Sequence, residues 1–448
     1  MKHNNMTEGR EWPVILRFSL PLMGASLLQA LYSFVDSVIV GTFVGETAFG
    51  AIGLLASSIM LVNFLCTSLG NGVNIVTSQF YGAGRDQDVK ETAMTAQLLG
   101  LAVSAVVILI CLVGARPLIS GLLRTPVIML VYSLQYFCIY AVGLLFQFVY
   151  NVCYGILRAH GDSRGAMLFL LVAAIINVVL DLLFVVVFHL EVVGAVLATV
   201  IAQAGSAAAC MRYLNKHYPE YNLLRKENRM WRREKALLIG RISLPIMLQT
   251  SVLSVGFIIL QRLVNSFGAA SIEGFAAEQK VESFIHIIPS AFSSAMASFT
   301  GQNIGAARPD RVRRGFRHTV LVAVGISAVI AAFMIAFDTQ LLSIFHISEE
   351  GLARGAAHLD LLVIFMLPNS AYTIAAGLLQ GAGDVKITAV SSFINLAIRV
   401  ISAYLMALTW ISYRSIWWSL PLAWSVTCII NLARYKSGVW EHKSVVQS

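Results

Sequence analysis

The stretch INVVLDLLF, Ile176–Phe184, lies inside an apolar run from residue 166 to residue 188. The run is long enough to cross a bilayer as a helix, which needs about 20 apolar residues. Asn177 and Asp181 are four residues apart within it, so their side chains share one face of that helix. A carboxylate in a bilayer is costly unless it faces a water-filled cavity or a partner group. The stretch therefore predicts a membrane-spanning helix with a polar face turned away from the lipid.

The whole chain is far more apolar than a soluble protein. Of its 448 residues 58% are hydrophobic and only 12% are charged, whereas soluble domains carry about 25% charged residues. Twelve apolar runs are long enough to span a membrane: roughly 14–40, 51–76, 94–114, 127–152, 166–188, 193–212, 238–264, 274–300, 318–337, 358–380, 387–409 and 416–434. Strands of a membrane barrel would be about 10 residues long and alternate in polarity. The sequence predicts an all-α integral membrane protein with twelve transmembrane helices.

The positive charge is distributed unevenly between the two ends of these runs. The net charge is +9, and 25 of the 32 Lys and Arg fall in segments on the same side as the N-terminus. Positive charge marks the cytoplasmic side of a membrane protein. We therefore expect a multi-pass protein of the plasma (inner) membrane with both termini in the cytoplasm. We expect this charge to orient the chain and to contact anionic lipid, and no nucleic-acid partner is predicted.

Three motifs occur twice, in the same order and displaced by 222 to 224 residues. They are SLP (Ser19–Pro21 and Ser243–Pro245), QFYGAGRDQDV with QNIGAARPDRV (Gln79–Val89 and Gln302–Val312), and GILRAHGD with GLLQGAGD (Gly155–Asp162 and Gly377–Asp384). Three motifs in register indicate an internal duplication. We predict an N-terminal lobe of spans 1–6 (residues 1–212), a cytoplasmic linker (213–237) and a C-terminal lobe of spans 7–12 (238–448).

Each predicted lobe has six spans, so both lobes begin on the same side of the membrane. Such parallel repeats are related by a pseudo-two-fold axis along the membrane normal, and transporters built this way bind substrate between their repeats. They work by alternating access, in which one repeat rocks against the other. One chain already contains both lobes, so a monomer is the expected state.

The polar residues of the N-terminal half are suited to proton exchange. Asp36 lies in the first span, Thr199 in the sixth, and Asn151 at the end of the fourth. If they converge with Asn177 and Asp181, two carboxyl groups share one poorly hydrated site. Two such groups do not both ionise without a large cost, so one is expected to hold a proton. A site of this kind can take up a proton on one side of the membrane and release it on the other.

Several stretches resemble the MATE (multidrug and toxic compound extrusion) transporters, and among them the DinF-like branch. They are the SLP opening, VDSVIVG (Val35–Gly41), SQFYGAG (Ser78–Gly84), GILRAHGD and INVVLD. The resemblance covers nearly the whole chain, with the motifs in family order. It implies a secondary antiporter that exports small amphipathic, often cationic compounds.

The resemblance also implies roles for individual positions. Asp36, Asn177, Asp181 and Thr199 match the N-lobe cluster used for cation coupling, and Asn151 lies near another position of that cluster. Pro21 matches the first-span proline at which that helix bends on protonation. The coupling ion is H⁺ or Na⁺, since carboxylates with Asn and Thr oxygens also suit a hard cation. No cofactor and no resident metal are expected.

The C-terminal half contains a second possible polar site. Glu278, Glu282 and His286 recur at four-residue intervals on one helix face, and Arg262 and Arg399 are intramembrane cations that need partners. Two interpretations stay open: Glu282 pairs with an arginine to fix the lobe, or the group binds substrate or takes part in coupling. NorM-like members place acids in the seventh and tenth spans, and this chain departs from that pattern. The departure weakens the case for a sodium site there.

Other functions of a twelve-span chain remain as alternatives. A flippase of lipid-linked oligosaccharides with this fold would line its cavity with several cations, and here Arg262, Lys280 and Arg399 are the candidates. A dedicated metabolite exporter of the same superfamily is also compatible with the sequence. No Walker motif and no HExxH occurs, and we predict neither ATP-driven transport nor an enzyme activity.

Overall fold

The computed structural model describes residues 5–44, 46–123, 125–223, 225, 228, 230–344, 347–410 and 414–446. Fourteen α-helices run through these residues: α1 (Glu11–Phe43), α2 (Glu46–Gly82), α3 (Asp86–Arg116), α4 (Val127–Ala159), α5 (Arg164–Asp181), α6 (Glu191–His217), α7 (Arg233–Asn265), α8 (Ala269–Ile285), α9 (Ile287–Gly305), α10 (Pro309–Ala336), α11 (Asp338–Ser343), α12 (Glu349–Gly381), α13 (Val385–Trp410) and α14 (Arg414–Lys436).

These helices reproduce the predicted spans. In the described part of the chain, ten helices are long and apolar enough to cross a membrane, and they belong to α1–α6, α10 and α12–α14. The seventh predicted span corresponds to α7, and the eighth to α8 and α9, which follow one another across His286. The prediction of an all-α, multi-pass protein is confirmed.

Asp181 lies where the helix of the fifth span changes its hydrogen-bonding pattern. The α-helix α5 ends at this residue, and the next six residues, Leu182–Val187, form a π-helical segment. Segments of π-helix widen the helical turn and occur frequently at functional sites. The apolar pattern of the fifth span continues through this change, so the sequence alone did not reveal it.

The chain divides into two compact units. The first comprises Met1–Asn5 and Leu20–Met247, and the second comprises Met6–Ser19 and Leu248–Ser448. In the first unit α4 contacts α2, α3 and α6, and in the second α12 contacts α8, α9, α10 and α14. The fourth and tenth spans are therefore the central helices of their units.

The unit boundaries fall inside helices. One lies in α1 between Ser19 and Leu20, and the other in α7 between Met247 and Leu248. Both are within three residues of the duplicated prolines Pro21 and Pro245. The first turns of α1 and of α7 are thus grouped differently from the predicted lobes, whose limits at residues 212 and 238 stay a prediction.

The two copies of the GILRAHGD motif make the same close helix contact. A methyl group added at Gly155 in α4 would lie 2.4 Å from the carbonyl oxygen of Gly70 in α2. A methyl group at Gly377 in α12 would lie 2.3 Å from the carbonyl oxygen of Ser293 in α9. Gly70 and Ser293 are themselves 223 residues apart. The sequence repeat therefore corresponds to a repeat in three-dimensional packing.

The linker after α6 docks onto the first unit. Tyr221, in the 3₁₀ turn Pro219–Tyr221, is buried, and its carbonyl oxygen accepts a hydrogen bond from Gln97 at 3.0 Å. Its hydroxyl lies 3.1 Å from Nε2 of His160. Burial raises the pKa of Tyr221, so the hydroxyl keeps its proton and can donate to the imidazole. The linker is therefore anchored near its start.

Candidate functional site

The first unit brings the carboxyl groups of Asp36 and Asp181 together. Asp36 lies in α1 and is half-buried, whereas Asp181, at the end of α5, is fully buried. The two carboxyl groups lie close enough to interact directly with each other. Two ionised carboxylates only accept hydrogen bonds. The contact is therefore a hydrogen bond only while one of the two carries a proton.

Nothing else in the described part of the first unit neutralises this pair. Neither carboxyl group interacts there with Lys, Arg or His, and neither oxygen of Asp181 receives a hydrogen bond from another described group. An uncompensated pair of negative charges in a protein interior is strongly unfavourable. The pair must therefore be neutralised by protons or by a bound cation.

Asn177 and Thr199 extend this cluster with further oxygens. Asn177 lies one turn before Asp181 in α5, as the spacing predicts, and it is buried. Its Nδ2 donates to Oγ1 of Thr199 in α6 at 3.5 Å, and Thr199 donates to the carbonyl oxygen of Ala195 at 3.2 Å. Among the described groups none donates to Oδ1 of Asn177. The amide and carboxylate oxygens are thus acceptors that a proton or a hard cation could use.

The other two N-terminal residues singled out in the sequence make no described contact with the carboxyl pair. Asn151 is half-buried in α4, and its amide donates to the carbonyl oxygen of Gln147 in the same helix at 2.8 Å. No described contact joins Asn151 to Asp36 or Asp181. Pro21 lies inside α1, which is continuous from Glu11 to Phe43. Its missing amide proton removes one helical hydrogen bond, which makes it a place where the helix can bend.

The described part of the second unit contains a carboxylate–imidazole contact that the sequence did not reveal. Nδ1 of His358 in α12 lies 3.0 Å from Oε2 of Glu278 in α8, and both side chains are buried. The imidazole ring stacks on Trp417 with a centroid distance of 4.1 Å and on Phe275 with a centroid distance of 5.7 Å. A lone histidine in an apolar run carries little signal in a sequence. The contact between His358 in α12 and Glu278 in α8 could be found only from the fold.

A second carboxylate–imidazole pair lies further along α8. Nε2 of His286 is 3.1 Å from Oε1 of Glu282, and Nδ1 of His286 is 3.4 Å from the amide nitrogen of Asn369 in α12. Arg399 of α13 is buried and interacts electrostatically with both Glu282 and Glu278. The structure thus brings four of the predicted C-terminal residues together and adds His358.

The charges in this C-terminal cluster nearly balance. Two carboxylates, Glu278 and Glu282, face one permanent cation among the described residues, Arg399. One further proton, held by a carboxyl or an imidazole group, makes the cluster neutral. His358 contacts Glu278 and His286 contacts Glu282, so both carboxylates have an imidazole beside them.

Arg262 does not take part in the cluster. It lies in the last turn of α7 and is exposed. The sequence shows that this cation lies within an apolar run, but it does not show whether the side chain is buried against other helices or exposed. An exposed arginine near a helix end can extend its charged group toward the membrane surface.

The two units repeat one polar contact and differ one turn later. Nδ2 of Asn395 in α13 donates to Oγ1 of Thr427 in α14 at 2.8 Å, as Asn177 does to Thr199 in the first unit. One turn after the asparagine the first unit has Asp181 and the second has Arg399. At this position of the duplicated helix, Asp181 faces the carboxyl group of Asp36 in the first unit. In the second unit Arg399 interacts with the two carboxylates Glu278 and Glu282.

A duplicated twelve-span fold with buried titratable clusters is typical of membrane transporters. A family model described as MatE matches residues 21–183 and 245–405, one segment in each half. The chain belongs to this family, and the resemblance inferred from the motifs is confirmed.

Curated relatives agree with this placement, and solved structures share the fold. The chain is 27% identical over 444 residues to the probable multidrug resistance protein YpnP of Bacillus subtilis (strain 168), covering 98% of each chain. Among solved structures it is similar to a MATE protein crystallised in complex with MaL6 (TM-score 0.92, 21% identity, 99% of this chain and 100% of that chain). A MOP superfamily transporter from Pyrococcus furiosus has the same TM-score of 0.92 at 21% identity, with 98% of this chain and 99% of that chain covered. This likeness confirms the twelve-helix, two-lobed fold.

Proposed function

We propose that this protein exports amphipathic, cationic compounds from the cell in exchange for protons, and that the Asp36–Asp181 pair couples the two movements. The observation that carries the proposal is the contact between these two carboxyl groups without a described cation beside them. The name of YpnP, a probable multidrug resistance protein, supports the substrate class.

The chemistry of the pair supports coupling. With one proton shared, the carboxyl groups attract each other through a hydrogen bond, and without that proton they repel each other. Because Asp36 is in α1 and Asp181 ends α5, loss of the proton pushes these helices apart. Pro21 lies about four turns before Asp36 in α1 and provides a place for that helix to bend. Protonation and helix position are thereby linked.

The remaining parts of the proposal follow from the same features. Sodium is the alternative coupling ion, since the oxygens of Asn177 and Thr199 could complete a site for a hard cation. We place the protein in the plasma membrane with both termini in the cytoplasm, acting as a monomer and without enzymatic activity or cofactor.

The charges in the second unit argue against the flippase alternative. That alternative requires several free cations along a cavity. Of its three candidates, Arg262 and Lys280 are exposed, and Arg399 is buried against Glu278 and Glu282. The exporter is therefore the function that the described residues support best.

Transport of ethidium into proteoliposomes tests the proposal. The proton and sodium gradients are imposed separately on wild type, Asp36→Asn, Asp181→Asn and a control, Glu350→Gln, which removes an exposed carboxylate paired with Arg354. We expect a proton gradient alone to drive dye uptake by wild type and control, and both aspartate variants to lose it.

Two results would contradict the proposal. Normal transport by Asp181→Asn would assign this residue a structural role and direct attention to the C-terminal cluster. Absence of dye movement in wild type under either gradient would overturn the substrate class itself.

A further inference from the structure

A strongly basic groove lies at the start of α10 in the second unit. It encloses about 620 Å³, and its cations come from two helices: Arg313, Arg314 and Arg317 of α10 and Lys436 of α14. His318 and the ring of Tyr435 complete the lining, and Asp310 is the acid among the lining residues. The two helices meet here through Phe316 and Tyr435, whose ring centroids are 4.4 Å apart.

Part of this positive charge has no internal partner. Arg313 pairs with Glu441 at 2.6 Å, and Arg314 pairs with Glu11 in the first turn of α1 at 2.9 Å. Arg317 and Lys436 form no ion pair within the described ranges, and both are exposed. With Asp310 counted and His318 left out of the count, the groove keeps an excess of positive charge. It therefore favours an anionic ligand.

The groove continues into an apolar surface. Beyond Arg317, the four-residue ridge of α10 carries Leu321, Gly325, Val329 and Phe333. The three large side chains of this ridge are 64%, 71% and 54% exposed, and no other atom lies within 4 Å of a methyl group added at Gly325. On α14, Ile429 lies two turns before Lys436 and is 66% exposed. Cations and exposed apolar side chains thus follow one another on both helices.

We infer that this groove binds the phosphate of an anionic phospholipid, whose acyl chains lie along the ridge of α10. Arginine presents forked donors that match phosphate oxygens. The groove lies where the apolar span of α10 begins, at the depth of the lipid headgroups. A free phosphate would use the cations but not the ridge. The positive-inside pattern assigns this end of α10 to the cytoplasmic leaflet, where anionic headgroups are available.

Bound lipid would act on two other segments through the same arginines. Arg314 holds Glu11 in α1, and Arg313 holds Glu441 in the 3₁₀ turn Val439–His442 near the C-terminus. A phosphate beside Arg317 and Lys436 reduces repulsion among the four cations. The lipid is therefore expected to stabilise the site where these three segments meet.

Native mass spectrometry of the detergent-solubilised, full-length protein tests the inference. The probes are dioleoyl-phosphatidylglycerol, dioleoyl-phosphatidylcholine and inorganic phosphate. Wild type is compared with Arg317→Gln/Lys436→Gln and with a control of equal charge, Arg116→Gln/Lys280→Gln, whose side chains are exposed elsewhere. We expect wild type and control to retain phosphatidylglycerol, and the groove variant to bind it about tenfold more weakly or worse.

The outcomes separate the possible ligands. Equal retention of the two lipids by wild type, or unchanged binding by the groove variant, would overturn the inference. Displacement of phosphatidylglycerol by millimolar inorganic phosphate would show a site for free anions and would also overturn it. If the double variant does not fold, two other variants are used for the test. Lys436→Gln alone should bind phosphatidylglycerol more weakly than wild type, and the charge-preserving Arg317→Lys/Lys436→Arg should still bind it. Lipid binding is measured without transport, so the result can support or overturn this inference whether or not the proposed export function is correct.

Discussion

Replacing Arg399 with glutamine is expected to destabilise the protein by about 3 kcal/mol. Removing one member of a buried ion pair costs about 3–5 kcal/mol because it leaves an uncompensated charge behind. Here the buried guanidinium is the one described permanent cation that interacts with Glu278 and Glu282. A proton taken up by one of the two carboxyl groups, or by His286 beside Glu282, would partly compensate for the lost guanidinium. That partial compensation puts the expected loss at the lower end of the range.

The same reasoning predicts how the loss depends on pH. With Arg399 present the cluster needs one proton to become neutral, and in Arg399→Gln it needs two, whether a carboxyl or an imidazole group carries them. In the unfolded chain carboxyl groups are ionised and histidines are neutral above about pH 7, so folding of the variant takes up one proton more than folding of wild type. Stability falls with pH when the folded state binds the additional proton, by about 1.4 kcal/mol for each pH unit. The stability difference between variant and wild type should therefore widen by about that amount per unit above pH 7.

Equilibrium unfolding in mixed detergent micelles at several pH values measures both quantities. Arg262→Gln is the control, because it removes an exposed arginine, and we expect it to stay within about 0.5 kcal/mol of wild type. In a double-mutant cycle, Glu278→Gln should offset Arg399→Gln by at least about 1 kcal/mol, since it removes one of the uncompensated carboxylates. Parallel pH profiles for wild type and Arg399→Gln, or strictly additive losses in the cycle, would refute the charge count.

Three further changes have expected outcomes. Ala307 has a φ of 54°, and the repeat aligns it with Gly84, whose φ is 67°. A left-handed backbone conformation is unfavourable for alanine, so Ala307→Gly should raise the unfolding free energy by about 1 kcal/mol. Gly84→Ala should lower it by a similar amount, and unfolding in detergent measures both changes. Gly155→Ala should cost about 1–3 kcal/mol, because its methyl group would meet the backbone of α2, and a neutral result would show that the helices separate easily. Asp181→Asn should keep or raise thermal stability, because it removes a buried carboxyl group that is costly to ionise. The same variant should lose proton-driven dye transport, which needs that carboxyl group. A large loss of thermal stability would indicate that Asp181 has a structural role.

Sequence patterns predicted the elements well because membrane helices leave long apolar runs. The interval of four residues also placed Asn177 and Asp181 on one face, and Glu278, Glu282 and His286 on another. These are properties of a single helix, so they can be inferred before any packing is known.

Contacts between helices were less accessible. His358 is 80 residues from Glu278, and only the packing of α12 against α8 brings them to 3.0 Å. Arg262 and Arg399 look alike in the sequence, as cations within apolar runs, yet one is exposed and the other buried. Which face of a helix meets its neighbours depends on packing between distant segments, and a single sequence does not record that choice.

The grouping of α1 and α7 has a consequence for how such a protein could have arisen. The segment Met6–Ser19 belongs to the second unit, while the first turns of α7, up to Met247, belong to the first. Each half of the duplication thus contributes the start of its leading helix to the other half. Reciprocal exchange of an identical element is the pattern of a domain-swapped homodimer. An ancestral six-helix chain that paired with a second copy of itself is therefore expected to have exchanged these arms, and we expect two halves expressed as separate chains to exchange them as well.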